Sequence, residues 1–239
     1  MPKTALEQGE LFPLMRAIIR GDAGEVAKRL EAYPLLATAH LVDGATREEA
    51  SNFYFEEISH YLYTGDTPLH AAAAGYRVQI ARLLITMGAD VAAKNRRGAE
   101  PLHYASDSHP GSPNWNPQAQ AEMITLLVEA RANPNTLDKS GVAPLHRAVR
   151  QRGSAAVELL LRLGANVRLK NGSGSMPLHL AVQNTGRSGS GSPEAKAGQR
   201  EIIELLLRAK ADPQDRDGRG KTVIECATSE WVRDLLSRN

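Results

Sequence analysis

Side chains able to do chemistry are few in this 239-residue chain, and most of them recur at intervals. Four of the seven histidines, His70, His103, His146 and His179, each follow a Pro-Leu pair. Zinc would need its ligand nitrogens within about 2.1 Å of one ion. One histidine per structural layer, with layers about 10 Å apart, cannot meet that condition. Each imidazole is expected to bond backbone groups beside its own turn. Gly218-Arg219-Gly220-Lys221-Thr222 looks like the end of a phosphate loop, but that motif needs a glycine where Asp215 stands. Asp215 and Asp217 hint at a calcium loop without its later ligands. Cys226 is the sole cysteine. It allows neither an intrachain disulfide nor a cysteine-based metal site, and reads as a small core filler. No Ser-His-Asp order, His-Glu-x-x-His or paired-carboxylate pattern stands out. No catalytic, metal or cofactor residue is assigned.

A repeat must position these residues. Gly65-Asp66-Thr67-Pro68-Leu69-His70 returns as Gly98-Ala99-Glu100-Pro101-Leu102-His103, Gly141-Val142-Ala143-Pro144-Leu145-His146 and Gly174-Ser175-Met176-Pro177-Leu178-His179. A worn copy is Gly220-Lys221-Thr222-Val223-Ile224-Glu225. The glycines are 33, 43, 33 and 46 residues apart, so two of these units carry 10 and 13 extra residues. A fixed period of this kind decides the architecture. Five copies in register resemble the ankyrin repeat over nearly the whole chain. The resemblance implies an all-α solenoid with short β-hairpin fingers, a stack of about six units including caps. Each unit would be a finger followed by two antiparallel helices. The resemblance also implies a binding scaffold rather than an enzyme. In this family the motif His links to the motif Thr. Here only Thr67 is present, with Glu100, Ala143 and Met176 at the other sites.

In order, residues 1–10 read as a polar lead-in, and 11–40 as an N-terminal repeat whose Pro13 aligns with Pro68. An aromatic-rich insertion covers 41–64. Repeats follow at 65–97, 98–140, 141–173 and 174–219, with a C-terminal cap at 220–239, all in one domain. Thr67 can cap its helix, Pro68 suits the first helical position, and Gly88 supplies the left-handed turn after the second helix. Arg131 and Lys210 stand where Gly88 stood. The extra residues fall between the two helices of alternate repeats, at 106–117 and in the Gly/Ser-rich stretch 185–193. Leaving the same corner, the two loops should lie on one side, roughly 20 Å apart.

Apolar residues make up 42% of the chain and aromatics only 5%, so Ala and Leu must build the core. A net charge of +2 is too mild to argue for nucleic acid. No run approaches the ~18 apolar residues of a membrane span. The start lacks a basic-then-apolar signal pattern, and a reducing, cytoplasmic setting with a monomeric chain is expected.

Five of the eleven aromatics fall within 53–63, beside the first clear finger. Tyr61 and Tyr63 are candidates for an aromatic recognition patch. The competing reading is that Phe53, Phe55 and Ile58 form a small satellite core. Finger tips and first-helix surfaces supply Lys94, Arg96, Arg97, Lys139, Arg150, Lys170, Gln183, Asn184, Arg216 and Arg219. Trp115 is the best single anchor in the first loop, and Arg187 marks the second. The expected function is recognition of a protein or peptide with an acidic surface, to which Arg forks pair well. An enzyme with a phosphate-handling or hydrolytic site at 185–193 is the alternative, although no convergent polar side chains are visible there. A structural spacer is the third.

Overall fold

The computed structural model describes residues 4–46, 48–184 and 191–238. Two compact units divide the chain, Met1–Ala105 with Ser112–Asn133, and Ser106–Gly111 with Pro134–Asn239. The first unit holds α1 (Thr4–Arg20), α2 (Ala23–Ala32), α3 (Pro68–Ala74), α4 (Val78–Thr86), α5 (Pro101–Ala105) and α6 (Pro117–Glu129). The second holds α7 (Pro144–Arg150), α8 (Ser154–Arg162), α9 (Pro177–Ala181), α10 (Pro193–Arg208), α11 (Val223–Cys226) and α12 (Glu230–Ser237). Within the first unit, α3 packs between α1 and α5, and α4 between α2 and α6. Within the second, α9 packs between α7 and α11, and α8 against α10. First helices therefore stack on first helices, as a repeat array requires.

The motif explains why the first helices are short and closely packed. All seven residues of α3 are buried, including Ala71, Ala72, Ala73 and Ala74. Small side chains let helices on both flanks approach. At each start, the His Nδ1 accepts the backbone N–H of the residue before Pro. The donors are Thr67, Glu100, Ala143 and Met176, at 3.1, 3.0, 3.1 and 3.3 Å. This satisfies one orphan donor of the helix terminus without needing a threonine. In the worn copy, Glu225 replaces histidine and its carboxylate accepts the Thr222 N–H at 2.7 Å. With Nδ1 accepting, the imidazole proton sits on Nε2. That nitrogen donates to the Ala99 carbonyl from His70 and to the Ser175 carbonyl from His146. The expected backbone role of the histidines holds at these sites.

Four of the fingers are tight loops built on an Asx residue three positions before the motif glycine, at Gly98, Gly141, Gly174 and Gly220. The side-chain Oδ1 of Asn95, Asp138, Asn171 and Asp217 accepts backbone N–H groups two and four residues on. Neighbouring fingers are joined by single main-chain bonds, Arg96 N–H to Thr64 O, Gly172 N–H to Ser140 O and Gly218 N–H to Ser173 O. Gly174 shows why side chains are excluded at this seam. Its φ is +73°, and a Cβ would lie 2.4 Å from the Gly218 nitrogen. Glycine alone tolerates both conditions.

The N-terminal reading needs one correction. Residues 4–10 are not a lead-in but the first turns of α1, so Pro13 lies inside a 17-residue helix rather than at its start. Ala5-Leu6-Glu7-Gln8 is a good helix-forming run. Downstream, Leu11, Leu14, Met15 and Ile18 are fully buried, which holds the helix despite the hydrogen bond Pro13 cannot make. The extra residues of the long repeats also divide differently from a simple loop. α6 and α10 have 13 and 16 residues where α4 and α8 have 9, so part of each surplus extends the second helix. Asn116 and Ser192 cap these longer helices. Arg131 and Lys210 keep the left-handed turn of the glycines they replace, with φ of 78° and 69°.

Candidate functional site

The insertion is a built element with two unlike faces. Its start is tied to the chain that follows by Leu41 N–H to Asp66 O and Gly65 N–H to Leu41 O, and it is closed on itself by Ala45 N–H to Leu62 O. Leu41, Ala45, Ile58 and Leu62 are buried beneath it. At its centre, β1 (Tyr54–Phe55) and β2 (His60–Tyr61) form an antiparallel hairpin, the only sheet among the described residues. Tyr54 pairs with Tyr61, and Phe55 with His60. Because successive strand residues point to opposite faces, the pairing sorts the side chains. Phe55 lies 6.4 Å from Phe12, as does Phe53, and His60 stacks on Tyr104 at 4.1 Å. Tyr54 and Tyr61 form a pair 4.8 Å apart on the other face, 40% and 37% exposed. Phe53, Phe55 and buried Ile58 thus form the satellite core, while Tyr54 and Tyr61 remain open to solvent on the other face.

The exposed face continues onto the neighbouring finger. Tyr63 lies 6.4 Å from Tyr61. The guanidinium carbons of Arg97 and Arg96 sit 4.9 and 5.5 Å from the Tyr63 ring centroid. Such stacking contributes about 0.5–1 kcal/mol at exposed sites and holds the guanidinium in place. Arg96 is further fixed by an Nη2 bond to the Ala45 carbonyl. Tyr61, Tyr63, Arg96 and Arg97 thus meet as one patch. Tyr54 completes it, a residue that is not among the candidates read from sequence. Strands of two residues carry no alternation long enough to have marked it in the sequence.

Tyr54 also borders a cleft of about 870 Å³ lined by Arg20, Glu56, Glu57, Arg77 and Asn114. Arg77 donates to the Ile19 carbonyl at 2.7 Å, closing the end of α1. Burial pulls its guanidinium below the usual arginine value, partly offset by Glu57.

Beneath the patch lies a polar network that no single repeat copy announces. The Asp66 carboxylate, fully buried, accepts from the Tyr63 N–H at 2.6 Å, Asn95 Nδ2 at 2.9 Å and the Tyr104 hydroxyl at 2.9 Å. Tyr104 accepts a further bond from Asn95 at 2.9 Å. The network ties the base of the insertion, the first finger and α5 together.

The remaining expected residues are placed as follows. Lys94 is exposed and lies 3.7 Å from Glu100. Trp115 is half-buried, and its indole N–H donates to Gln120 Oε1 at 3.0 Å. Gln120 in turn donates to the Ala105 carbonyl, so Trp115 staples its own loop to α6. In the second unit Lys139, Arg150, Lys170, Gln183 and Arg219 are exposed. Asn184 accepts from Thr228 and Ser229 at 2.6 and 3.0 Å, joining the C-terminal cap. Arg216 donates to the Gly220 carbonyl at 2.6 Å within its own finger. Arg187 lies outside the described residues. Asp217 spends its carboxylate on the finger turn, and Asp215 lies 2.6 Å from Arg168. No group of three or more metal-ligating side chains forms among the described residues. No described helix is long and apolar enough to cross a membrane.

Family models agree with the register of the repeats. A model described as ankyrin repeats in many copies matches residues 127–181. The single ankyrin repeat matches 64–96 and 173–218. Together these matches span more than half of the chain, which on these grounds and on its stacked helix pairs belongs to the ankyrin repeat family.

Proposed function

We propose that this chain is a non-catalytic scaffold whose principal contact surface is the hairpin face and the finger beside it. Ankyrin repeats are generally protein–protein interaction modules, which sets the class. The observation that carries the finer reading is the exposed Tyr54–Tyr61 pair continuing through Tyr63 to Arg97. Interface energy concentrates in Tyr, Trp and Arg, and rings held by their neighbours lose little freedom on binding. The second unit, taken by itself, offers the exposed basic finger residues Lys139, Lys170 and Arg219, with Arg150 and Gln183, which suit an acidic partner. Trp115, whose neighbour Asn114 donates to the Glu56 carbonyl beside the hairpin, extends the footprint within the same unit.

The reading is tested by comparing proteins retained from native lysate by the wild-type chain and by a Tyr54→Ser/Tyr61→Ser variant. Quantitative mass spectrometry is the readout, with circular dichroism and urea unfolding as fold controls. A set of partners retained by the wild type and lost from the folded variant is expected. Identical retention by both would dismiss the hairpin face as the contact surface.

A further inference from the structure

We infer that the hairpin face takes an extended acidic segment that carries a ring side chain two residues from a carboxylate. The inference rests on the reading that this face is the binding surface and names what it binds. Three observations support it. The Tyr54 and Tyr61 rings lie 4.8 Å apart with their planes tilted by 51°, a V-shaped aromatic surface that can seat one phenyl, indole or prolyl ring. The step from Tyr61 to Tyr63 is 6.4 Å. An extended chain rises about 3.3 Å per residue, so residues two apart cover about the same length and point to the same face. The charge at the far end is positive. Arg97 stacks on Tyr63 at 4.9 Å and is an exposed residue, so a partner's carboxylate can reach its guanidinium.

The surrounding charges set the polarity. Arg96 adds a second guanidinium at the same ring, partly spent on Ala45. Lys94 faces Glu100. The acidic groups Glu56 and Glu57 lie in the cleft on the Tyr54 side, together with Arg20 and Arg77. The cationic end of the row is therefore at Arg96 and Arg97, and the ring-to-acid direction of the bound segment follows from it.

Short dye-labelled peptides in a Gly/Ser background test this with the full chain, by fluorescence anisotropy. The reference peptide carries phenylalanine and, two residues on, glutamate. Exchange of that glutamate for glutamine is expected to weaken binding ~10-fold, the loss of a charge-assisted pair. Placing the glutamate directly beside the phenylalanine should weaken it similarly, because adjacent residues face opposite ways. In Arg97→Gln both peptides should bind with the affinity that the glutamine peptide has for the wild type, a level that a general fold defect would not preserve. Glutamate and glutamine peptides binding the wild type within twofold, or a glutamate preference surviving in Arg97→Gln, would overturn the inference. A phosphoserine peptide that binds more than tenfold tighter than the glutamate peptide would also overturn it, reassigning the face to phosphorylated segments. If the peptides fail while Tyr54→Ser/Tyr61→Ser still loses its partners, only the acidic-segment inference falls. Unchanged partner retention removes both.

Discussion

The Tyr104 hydroxyl donates to the Asp66 carboxylate at 2.9 Å, 38 positions away in sequence, with both residues sealed from solvent. A buried carboxylate deprived of a donor keeps its desolvation penalty, about 1–3 kcal/mol. Tyr104→Phe preserves the ring contacts with His60 and His70 while removing that donor. The variant is expected to lose about 1–3 kcal/mol in urea unfolding, with faster amide exchange at Tyr63 and Asn95. A loss under about 0.5 kcal/mol would mean that the network is not a stability element.

The finger seam gives a graded prediction. Gly164 has φ +90° with open space where a Cβ would stand, whereas Gly174 has φ +73° and would place a Cβ 2.4 Å from backbone. Gly164→Ala should therefore cost only the left-handed strain, about 1–2 kcal/mol. Gly174→Ala must in addition displace the neighbouring finger, and a cost of about 3 kcal/mol or more is expected. Equal urea midpoints for the two variants would show that the fingers are not in close backbone contact.

Much of this architecture is legible because repeats repeat. The period of Gly65, Gly98, Gly141, Gly174 and Gly220 places every finger and first helix before any side chain is interpreted. The Asx residue three positions before four of those glycines is equally visible, and its pattern alone predicts the turn. The pairing of Asp66 with Tyr104 is not legible, since each is peculiar to its own copy and their meeting depends on how the insertion settles against α5. The two faces of the hairpin are hidden for a related reason. Strands of two residues leave too short an alternation to separate core from surface. The start of α1 escapes a reading by register because Pro13 imitates the repeat motif while the preceding residues favour helix on their own.

Arg131 and Lys210 show a departure in sequence that leaves the backbone unchanged. Both sit at positive φ where Gly88 and Gly164 occupy the corresponding turns. A side chain there costs about 1–2 kcal/mol of strain, partly offset by the greater freedom glycine gives the unfolded chain. Arg131→Gly and Lys210→Gly should each stabilise the protein by about 0.5–1 kcal/mol, measured as a raised urea midpoint. Destabilisation by either change would reveal a contact of the long side chain that outweighs the strain.

His146 provides a pH test. Burial pulls its imidazole below the ordinary value of 6.5, opposed by the Ser175 and Leu169 carbonyls. Arg150 pushes the same way as burial and Asp138 against it, both more weakly. The geometry gives the reason that protonation is resisted. Nδ1 accepts the Ala143 N–H at 3.1 Å, so a second ring proton must evict that bond. The native state thus binds a proton less readily than the unfolded chain. Its contribution to stability is complete above about pH 6.5 and declines as pH falls toward the lowered native value, by at most about 1.4 kcal/mol per pH unit. Glu225, held below the ordinary carboxylate range by the Thr222 N–H and hydroxyl, titrates below this window. Urea midpoints between about pH 7.5 and 5.5 should fall for the wild type. His146→Gln should start lower but vary less with pH, because glutamine carries no titrating proton. An equally steep pH dependence in that variant would assign the effect to another group.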